Sequence, residues 1–319
     1  MSTSGSTNFL LTRDDIIRDA ALLCNAVDRE ATLNPTLVTD FARTANMLIR
    51  TWRNAGMHLW KQKETTLFLA ASQSRYDLSL SSSDHVAENS AYTKTTLSAD
   101  EAASQTVLSV TSSTGMTAAD KIGILLDDNT LHWTTIVSTG AGPVVTITTA
   151  IPSAAASGSE VYFYTNNIPR PLRVDSVRRY HIADNIEVPM DLLSRSDWAD
   201  IPDKLQTGIP FRSWFDLQRT SGYLSISNVP STIADFVRFT ATLPIEDLDA
   251  TTDNPDFPEE WYLALVYNIA DVKKFGFNVP AARRREIENG AAKFLGMAAI
   301  EDREEVSVYF APDLYGRGR

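Results

Sequence analysis

Paired carboxylates are the residues of this sequence whose types and spacing come nearest to catalytic chemistry. Asp127 and Asp128 lie at the end of a predicted strand, and Glu246, Asp247 and Asp249 lie close together in a later loop. A glycoside hydrolase uses two carboxyl groups a few ångströms apart, one of which has a raised pKa. An apolar pocket is needed to raise that pKa. A glycan hydrolase is therefore one alternative for the function.

The surroundings of the later carboxylates favour a different interpretation. The stretch 245–260 contains seven acidic residues, no basic residue and two prolines, which is typical of an exposed loop. A polar, solvated loop does not raise the pKa of a carboxyl group. We therefore interpret the stretch as a solvated acidic face and rank the hydrolase below it.

Histidine and cysteine do not occur in a pattern that predicts a metal or a nucleophile. The four histidines, His58, His85, His132 and His181, have no ligand spacing among themselves or with Cys24, the single cysteine. Cys24 falls on the apolar side of a predicted helix, so a buried inert thiol is expected. There is also no glycine-rich phosphate loop and no nucleophile elbow. We predict no enzymatic activity, no metal and no cofactor.

Three consecutive arginines, Arg283, Arg284 and Arg285, could hold a phosphate group only if they converged on it. Successive residues of a helix point about 100° apart, so these three diverge. We favour a solvated face that forms salt bridges, place a subunit contact second and nucleic acid third. The net charge of −11 also argues against a protein that grips DNA phosphates, although DNA could slide past such a surface.

Two aromatic residues on predicted strands, Trp133 and Tyr162, indicate a third possibility, which is carbohydrate binding. Aromatic side chains on strands are more often part of a core. A core position is the interpretation that we prefer for both.

The elements that must position these residues begin with helices at both ends of the chain. A first helix is predicted over 12–26, with Thr12 as its N-cap, and a long amphipathic helix over 34–60. Asn34 caps the long helix and Gly56 is its natural end. Two further helices are predicted over 258–275 and 280–301.

Between the helix pairs the period of the sequence changes from helix to strand. Residues 64–80 predict a hairpin with its turn at Ser72 to Ser74, and residues 169–244 predict a meander of hairpins. Residues 93–164 contain five short strand candidates at regular spacing, which is typical of a small barrel or sandwich. We interpret this part as an inserted module; more sheet of one large domain is the alternative.

The predicted fold class is α+β: a helical bundle built from the N- and C-terminal helix pairs, an antiparallel β region, and an inserted small β-barrel or sandwich module. The predicted domains are a helical bundle (1–62 and 256–302), a β-rich domain (63–92 and 166–255), the inserted module (93–165) and a C-terminal arm (303–319). No window is long and apolar enough to cross a bilayer, and no signal peptide opens the chain, so a soluble protein is expected.

Several motifs spread along the chain carry a family resemblance. They are T-x-x-D-I-I-x-x-A from Thr12, L-I-x-x-W-x-x-x-G-x-x-L-W from Leu48, R-Y-D-L from Arg75, P-x-R-V from Pro171, a turn at Gly208 to Pro210, and P-E-E-W-Y-L-A-L-V-Y-N-I-A from Pro258 with F-G-F after it. In this layout the chain resembles the head-to-tail adaptors of short-tailed bacteriophages, also called tail accessory factors, connectors or tubular tail proteins. Residues 93–165 lie outside the resemblance.

The resemblance implies a structural virion protein. It implies a ring of twelve copies beneath the portal protein, with the helices as ring body and the β region toward the tail nozzle and fibre proteins. It also implies a location in the virion neck or tail, assembly in the host cytoplasm, no membrane, and non-specific passage of double-stranded DNA. The alternative becomes a virion-associated hydrolase of cell-wall glycan.

The resemblance also implies that the C-terminal arm contacts the portal. The arm alternates briefly between apolar and polar residues and then becomes rich in glycine and arginine, which suits a segment that orders on a partner. Its expected portal-binding residues are Val306, Val308, Tyr309, Phe310, Leu314, Tyr315, Arg317 and Arg319.

Overall fold

The computed structural model describes residues 9–54, 59–230, 233, 235–256 and 258–302. The chain forms two compact units. Unit 1 combines the two ends, Met1–Trp60 and Ile245–Arg319, and unit 2 is Lys61–Pro244. Five α-helices are present in the described residues: α1 (Arg13–Leu23), α2 (Pro35–Asn54), α3 (Arg195–Ala199), α4 (Trp261–Lys273) and α5 (Ala281–Glu301).

Fifteen strands are present in the described residues, all of them in unit 2. They are β1 (Gln62–Phe68), β2 (Arg75–Asp77), β3 (His85–Glu88), β4 (Thr93–Thr96), β5 (Val107–Ser109), β6 (Lys121–Leu125), β7 (Leu131–Thr139), β8 (Val144–Ile147), β9 (Glu160–Tyr164), β10 (Arg173–His181), β11 (Ile186–Pro189), β12 (Asp191–Leu192), β13 (Arg212–Leu217), β14 (Gly222–Ser227) and β15 (Asp235–Thr242).

The predicted fold class is wrong, because the protein is mostly β-sheet with a half-barrel sheet and is not a helical bundle. Only 26% of it is helical. The physical reason lies in α4, which is buried around most of its surface and packs against α1, α2 and α5. In unit 1, α1, α2 and α5 therefore surround α4, while the strand-forming residues between the two helical ends build three sheets.

Local capping explains where the first two helices begin. Thr12 and Asp15 form a capping box in which the Asp15 amide donates to Thr12 Oγ1 at 3.3 Å and the Thr12 amide donates to Asp15 Oδ2 at 3.1 Å. Asn34 Oδ1 accepts a hydrogen bond from the Thr36 amide at 2.9 Å. Both predicted N-caps are confirmed. Gly56, the predicted end of the long helix, lies outside the described residues.

The apolar side of α2 is buried inside unit 1. Phe41, Ala45, Ile49 and Trp52 all belong to its core. The Trp52 ring lies 5.6 Å from the ring of Trp261 on α4. The apolar side of α2 is therefore buried within unit 1, as expected for apolar residues spaced three and four positions apart.

Two sheets of unit 2 enclose a second core. The five-stranded sheet has the order β11-β10-β15-β1-β3, and the four-stranded sheet has the order β12-β13-β14-β2. Leu67 and Phe239 from the first sheet pack with Tyr76, Leu224 and Ile226 from the second. A layer of buried apolar side chains thus separates the two sheets.

The predicted hairpin over 64–80 is wrong. Strand β1 pairs with β15 and β3, whereas β2 pairs with β14 in the other sheet. The connection turns at Ser72, whose φ is +62°, and wraps around the Tyr76 hydroxyl. That hydroxyl accepts a hydrogen bond from the Ala70 amide and can donate its one proton to the carbonyl of Ala70 or of Gln73, all at 3.1 Å. Tyr76 therefore fixes a crossing between sheets where the sequence predicts a turn within one.

The inserted part forms the third sheet, with the order β4-β9-β6-β7-β8-β5. The sheet curls so that its two edge strands, β4 and β5, approach each other. The Thr111 amide donates to the Thr96 carbonyl at 2.8 Å, and the Ser98 amide donates to the Ser109 carbonyl at 2.9 Å. Its interior is filled by Leu108, Ile122, Ile124, Val145, Ile147 and Val161, among others. The five strand candidates of 93–164 are all strands.

Candidate functional site

A groove on the outer face of the four-stranded sheet is a candidate site. Because side chains alternate along β13, Trp214 and Asp216 point outward while Phe215 packs toward the core. Pairing then places Ser225 of β14 opposite Trp214, and Arg75 of β2 opposite Ser225. We call this surface the arginine–tryptophan groove, and it is lined by Ser74, Arg75, Trp198, Pro202, Asp203, Lys204, Leu205, Trp214, Asp216 and Ser225.

The second wall of the groove is held by α3. Ser194 caps this helix by accepting a hydrogen bond from the Asp197 amide at 3.2 Å. Trp198 then stacks against Trp214 with ring centroids 6.0 Å apart and planes 23° apart. Lys204 Nζ donates to the carbonyls of Ala199 and Ile201 at 3.2 and 2.7 Å, which closes the C-terminal end of the helix.

Asp216 is the buried anion at the base of the groove, with 8% of its surface exposed. It accepts a hydrogen bond from Arg195 Nη2 at 2.7 Å and from Gln218 Nε2 at 2.9 Å. The guanidinium of Arg75 is 3.9 Å from its other oxygen, which is an ion pair without a hydrogen bond. One carboxylate therefore serves two guanidinium groups.

The two guanidinium groups lie over aromatic rings. Arg75 is 3.8 Å from the centroid of the Tyr223 ring, and Arg195 is 5.4 Å from that of Trp214. Stacked in this way, an arginine keeps its N–H edge available, and that edge matches a carboxylate or phosphate bidentately. Because the guanidinium groups cover these ring faces, the arrangement suits an anion better than a stacked sugar.

The Asp127–Asp128 pair is used for turn formation. Asp127 accepts a hydrogen bond from the Ala156 amide at 2.9 Å. Asp128 accepts from the Thr130 amide at 2.9 Å and from the Ser153 hydroxyl at 2.7 Å. The hydroxyl hydrogen bonds from Thr130 and Ser153 lower the pKa of Asp128, whereas a general acid needs a raised pKa.

The acidic loop packs beside α2 in unit 1. Asp247 forms an ion pair with Arg50 at 2.6 Å, and the Asp249 carbonyl accepts a hydrogen bond from Arg13. The Asp249 amide donates to Asp253 Oδ2 at 2.9 Å. The carboxylates of Glu246 and Asp249 are exposed and bond to no other residue that the structure describes. The loop is thus anchored through Asp247 and through its backbone. Both carboxylates are exposed, and Asp249 lines a pocket that Arg13, Arg43 and Arg50 also line.

The three consecutive arginines of α5 have three different environments. Arg283 donates from Nε to the Leu23 carbonyl at 3.0 Å and so caps the C-terminus of α1. Arg284 lies 5.4 Å from the ring of Phe275, and Arg285 is exposed. The subunit contact predicted for them stays a prediction. The predicted portal-binding residues, Val306 to Arg319, lie outside the described residues.

Trp133 and Tyr162 do not form a carbohydrate platform. Tyr162 is buried, and its ring lies 5.5 Å from that of Phe68 in a shared aromatic core. Trp133 is stacked on His85, with centroids 4.0 Å apart and planes 10° apart. The preferred interpretation of a core residue is confirmed for Tyr162, whereas Trp133 is partly buried and packs against the same cluster.

The surroundings shift the pKa values of two groups, the buried Cys24 and the partly buried His85. Burial raises the pKa of the Cys24 thiol to about 11, and the thiol donates to the Ala270 carbonyl at 3.3 Å. Its predicted burial is confirmed, and this pKa keeps it protonated at neutral pH. Burial, with a smaller contribution from Lys121, lowers the pKa of His85 to about 3.

Neither a metal cluster nor a membrane span occurs in the part of the chain that the structure describes. No three His, Cys, Asp or Glu side chains there are arranged to hold a metal ion. No helix there combines the length and the apolar character that a bilayer requires.

Comparison with models of known protein families gives no match, and comparison with curated proteins gives none either.

Proposed function

We propose that this chain is a structural virion protein: a head-to-tail adaptor that forms a ring beneath the portal, surrounds the DNA channel, and carries the tail nozzle and fibres. Its location is then the neck or tail of the virion, reached after synthesis in the host cytoplasm. The proposal starts from the motif layout that resembles this family and is supported by features of both units.

The observation that carries the proposal is the way in which the chain divides. Both ends contribute helices to one unit, and the residues between them form a separate β unit. The motifs from Thr12, Leu48 and Pro258, which resemble the adaptor family, fall on α1, α2 and α4 of that helical unit. Helices α4 and α5 thus belong to the same unit as α1 and α2, as a ring body built from both ends requires.

The charge distribution is compatible with DNA passage. The acidic loop exposes Glu246 and Asp249, and the chain carries a net charge of −11. A negative channel wall repels DNA phosphates and limits adhesion. A ring structure with a channel lined by lysine and arginine would contradict this part of the proposal.

Binding to the portal protein of the same phage tests the proposal. We expect the full-length chain to bind assembled portal, and a variant that ends at Asp302 to lose that binding while it keeps the melting temperature of the full chain. The comparison isolates the arm because α5 ends at Glu301. The matched control replaces only Arg317 and Arg319 by serine and separates charge from apolar contacts. A full-length chain that binds neither the portal nor any other virion protein would refute the proposal that the protein is an adaptor.

A further inference from the structure

We propose that the arginine–tryptophan groove of one copy binds the acidic loop of a second copy, with Arg75 and Arg195 receiving the carboxylates of Glu246 and Asp249. The inference rests on the proposed ring, since it names the contact by which neighbouring subunits would join. The two surfaces belong to different parts of the chain, so the contact is heterologous, which is the type that generates rings.

The groove has more donors than its own carboxylates use. Asp216 takes one hydrogen bond from Arg195 and none from Arg75, which leaves most N–H groups of both guanidinium groups unbonded within the described residues. The side chains of these arginines are 55% and 74% exposed. They are therefore accessible to a partner and already oriented by their aromatic neighbours.

The other charges of the groove do not cancel this surplus. Lys204 is held by backbone carbonyls and adds a further positive charge. Asp203 accepts a hydrogen bond from the Leu205 amide at 3.0 Å and is the second carboxylate. The lining itself is balanced, with Arg75 and Lys204 beside Asp203 and Asp216. Arg195 does not line the groove but bonds to Asp216, and it supplies the one surplus positive charge in a protein whose net charge is strongly negative.

The apolar wall indicates a polypeptide partner. Leu205 is 68% exposed beside Pro202 and the edge of Trp214. Tryptophan and arginine at the centre of a partly apolar surface are typical of the residues that dominate protein interfaces. A nucleic acid base would have to displace a guanidinium group to stack on the ring faces of Tyr223 and Trp214 over which Arg75 and Arg195 lie.

The acidic loop is the segment of this chain that complements the groove. Seven acidic residues occur in 245–260 without a basic one. Glu246 and Asp249 are three residues apart and flank Leu248, which is buried and anchors the loop. Because the loop is already ordered by Arg50 and Arg13, little conformational entropy is lost when it binds.

Charge reversal with mixing tests the inference. The groove variant is Arg75→Glu, which leaves Asp216 bonded to Arg195 and Gln218. The loop variant is Glu246→Lys with Asp249→Lys, which alters only exposed side chains. Self-association of the full chain is measured by sedimentation velocity over a range of concentrations at low salt, and folding by thermal unfolding of each variant.

We expect each variant alone to associate about tenfold more weakly than the wild type, because like charges then face each other. A mixture of the two variants restores association, since each reversed surface meets its complement on the other variant. Matched controls are Arg219→Glu, in the turn between β13 and β14, and Glu30→Lys in unit 1. Both residues are exposed, and both variants are expected to associate like the wild type.

Three results would overturn the inference: a wild-type chain that stays monomeric, folded variants that associate normally, or a mixture that shows no restoration. In the last case the groove serves another partner, such as an acidic segment of a different virion protein or DNA. Portal binding measured in parallel keeps the proposals distinguishable. Portal binding without self-association refutes the groove contact alone, and self-association without portal binding refutes the adaptor alone.

Discussion

Gly290 of α5 lies directly against the ring of Tyr267 on α4. A Cβ placed on Gly290 would be 2.4 Å from two ring carbons of Tyr267. The ring cannot move freely, because its other neighbour is Phe294, with centroids 4.9 Å apart. The absence of a side chain at position 290 therefore sets how closely the two helices approach.

Replacing Gly290 by alanine is expected to destabilise unit 1. The overpacking costs about 1–3 kcal/mol and exceeds the gain of about 1 kcal/mol in helix propensity. The free energy of unfolding in urea measures the effect. Gly296 is the matched control in the same helix: nothing lies within 4 Å of its Cβ position, so Gly296→Ala should stabilise the protein. Equal effects of both substitutions would contradict the close contact.

Thr12→Ala is expected to lower the free energy of unfolding by about 1 kcal/mol, because it removes the hydroxyl of the capping box. Urea unfolding monitored by circular dichroism measures the loss. Thr36→Ala, an exposed position in the first turn of α2, should change stability little. A Thr12 variant as stable as the wild type would show that the cap contributes nothing.

Arg283→Met is expected to destabilise the protein by about 1 kcal/mol, because the carbonyls of Leu22 and Leu23 lose their donor. Arg285→Met should leave the melting temperature unchanged, since Arg285 is exposed. If the arginines also make a subunit contact, the second variant weakens self-association without loss of stability. Normal association of both variants would refute that contact.

His85 predicts how stability depends on pH. Its pKa is about 3 in the folded protein and 6.5 in the unfolded chain, so below pH 6.5 the unfolded chain binds a proton that the folded protein excludes. Stability therefore falls as pH decreases from 6.5 toward 3, by up to about 1.4 kcal/mol per pH unit. At neutral pH the effect is absent, since both states are neutral.

The measurement is the unfolding free energy of wild type and His85→Phe as a function of pH. The variant keeps an aromatic ring against Trp133 and loses the hydrogen bond to the Tyr164 hydroxyl. We expect its stability to depend less steeply on pH below 6.5. His132→Gln, at a partly exposed position, is the control. Parallel curves for wild type and His85→Phe would show that His85 is not protected from protonation.

Local signals in the sequence located the helices well. Thr12 and Asn34 fix helix starts through bonds to residues two or three positions away, so a single sequence contains what is needed. The apolar spacing along α2 likewise depends only on helix geometry. The prediction of the fold class was wrong because the balance of helix and sheet depends on how the elements pack. No local pattern in the sequence shows that α4 is the central helix of unit 1.

The pairing of strands and the candidate groove could not be predicted from local patterns. Strand β1 pairs with β15, which follows it by more than 160 residues, and the apparent hairpin partner β2 belongs to another sheet. Arg75 and Asp216 meet only because β14 lies between their strands. The one available signal was the alternation that puts Trp214 and Asp216 on one face, and it does not reveal the arginines opposite.

Along the chain, β4 is the first strand of the six-stranded sheet and β9 is the last. These two strands are neighbours, with Thr93 paired to Phe163 in antiparallel register. Chain entry and exit therefore lie side by side, and we expect that a short turn between Tyr92 and Thr165 could replace residues 93–164. Such a replacement has one requirement. Phe68 and Phe236 pack against Tyr162, so a shortened chain needs an apolar cap over them to remain soluble.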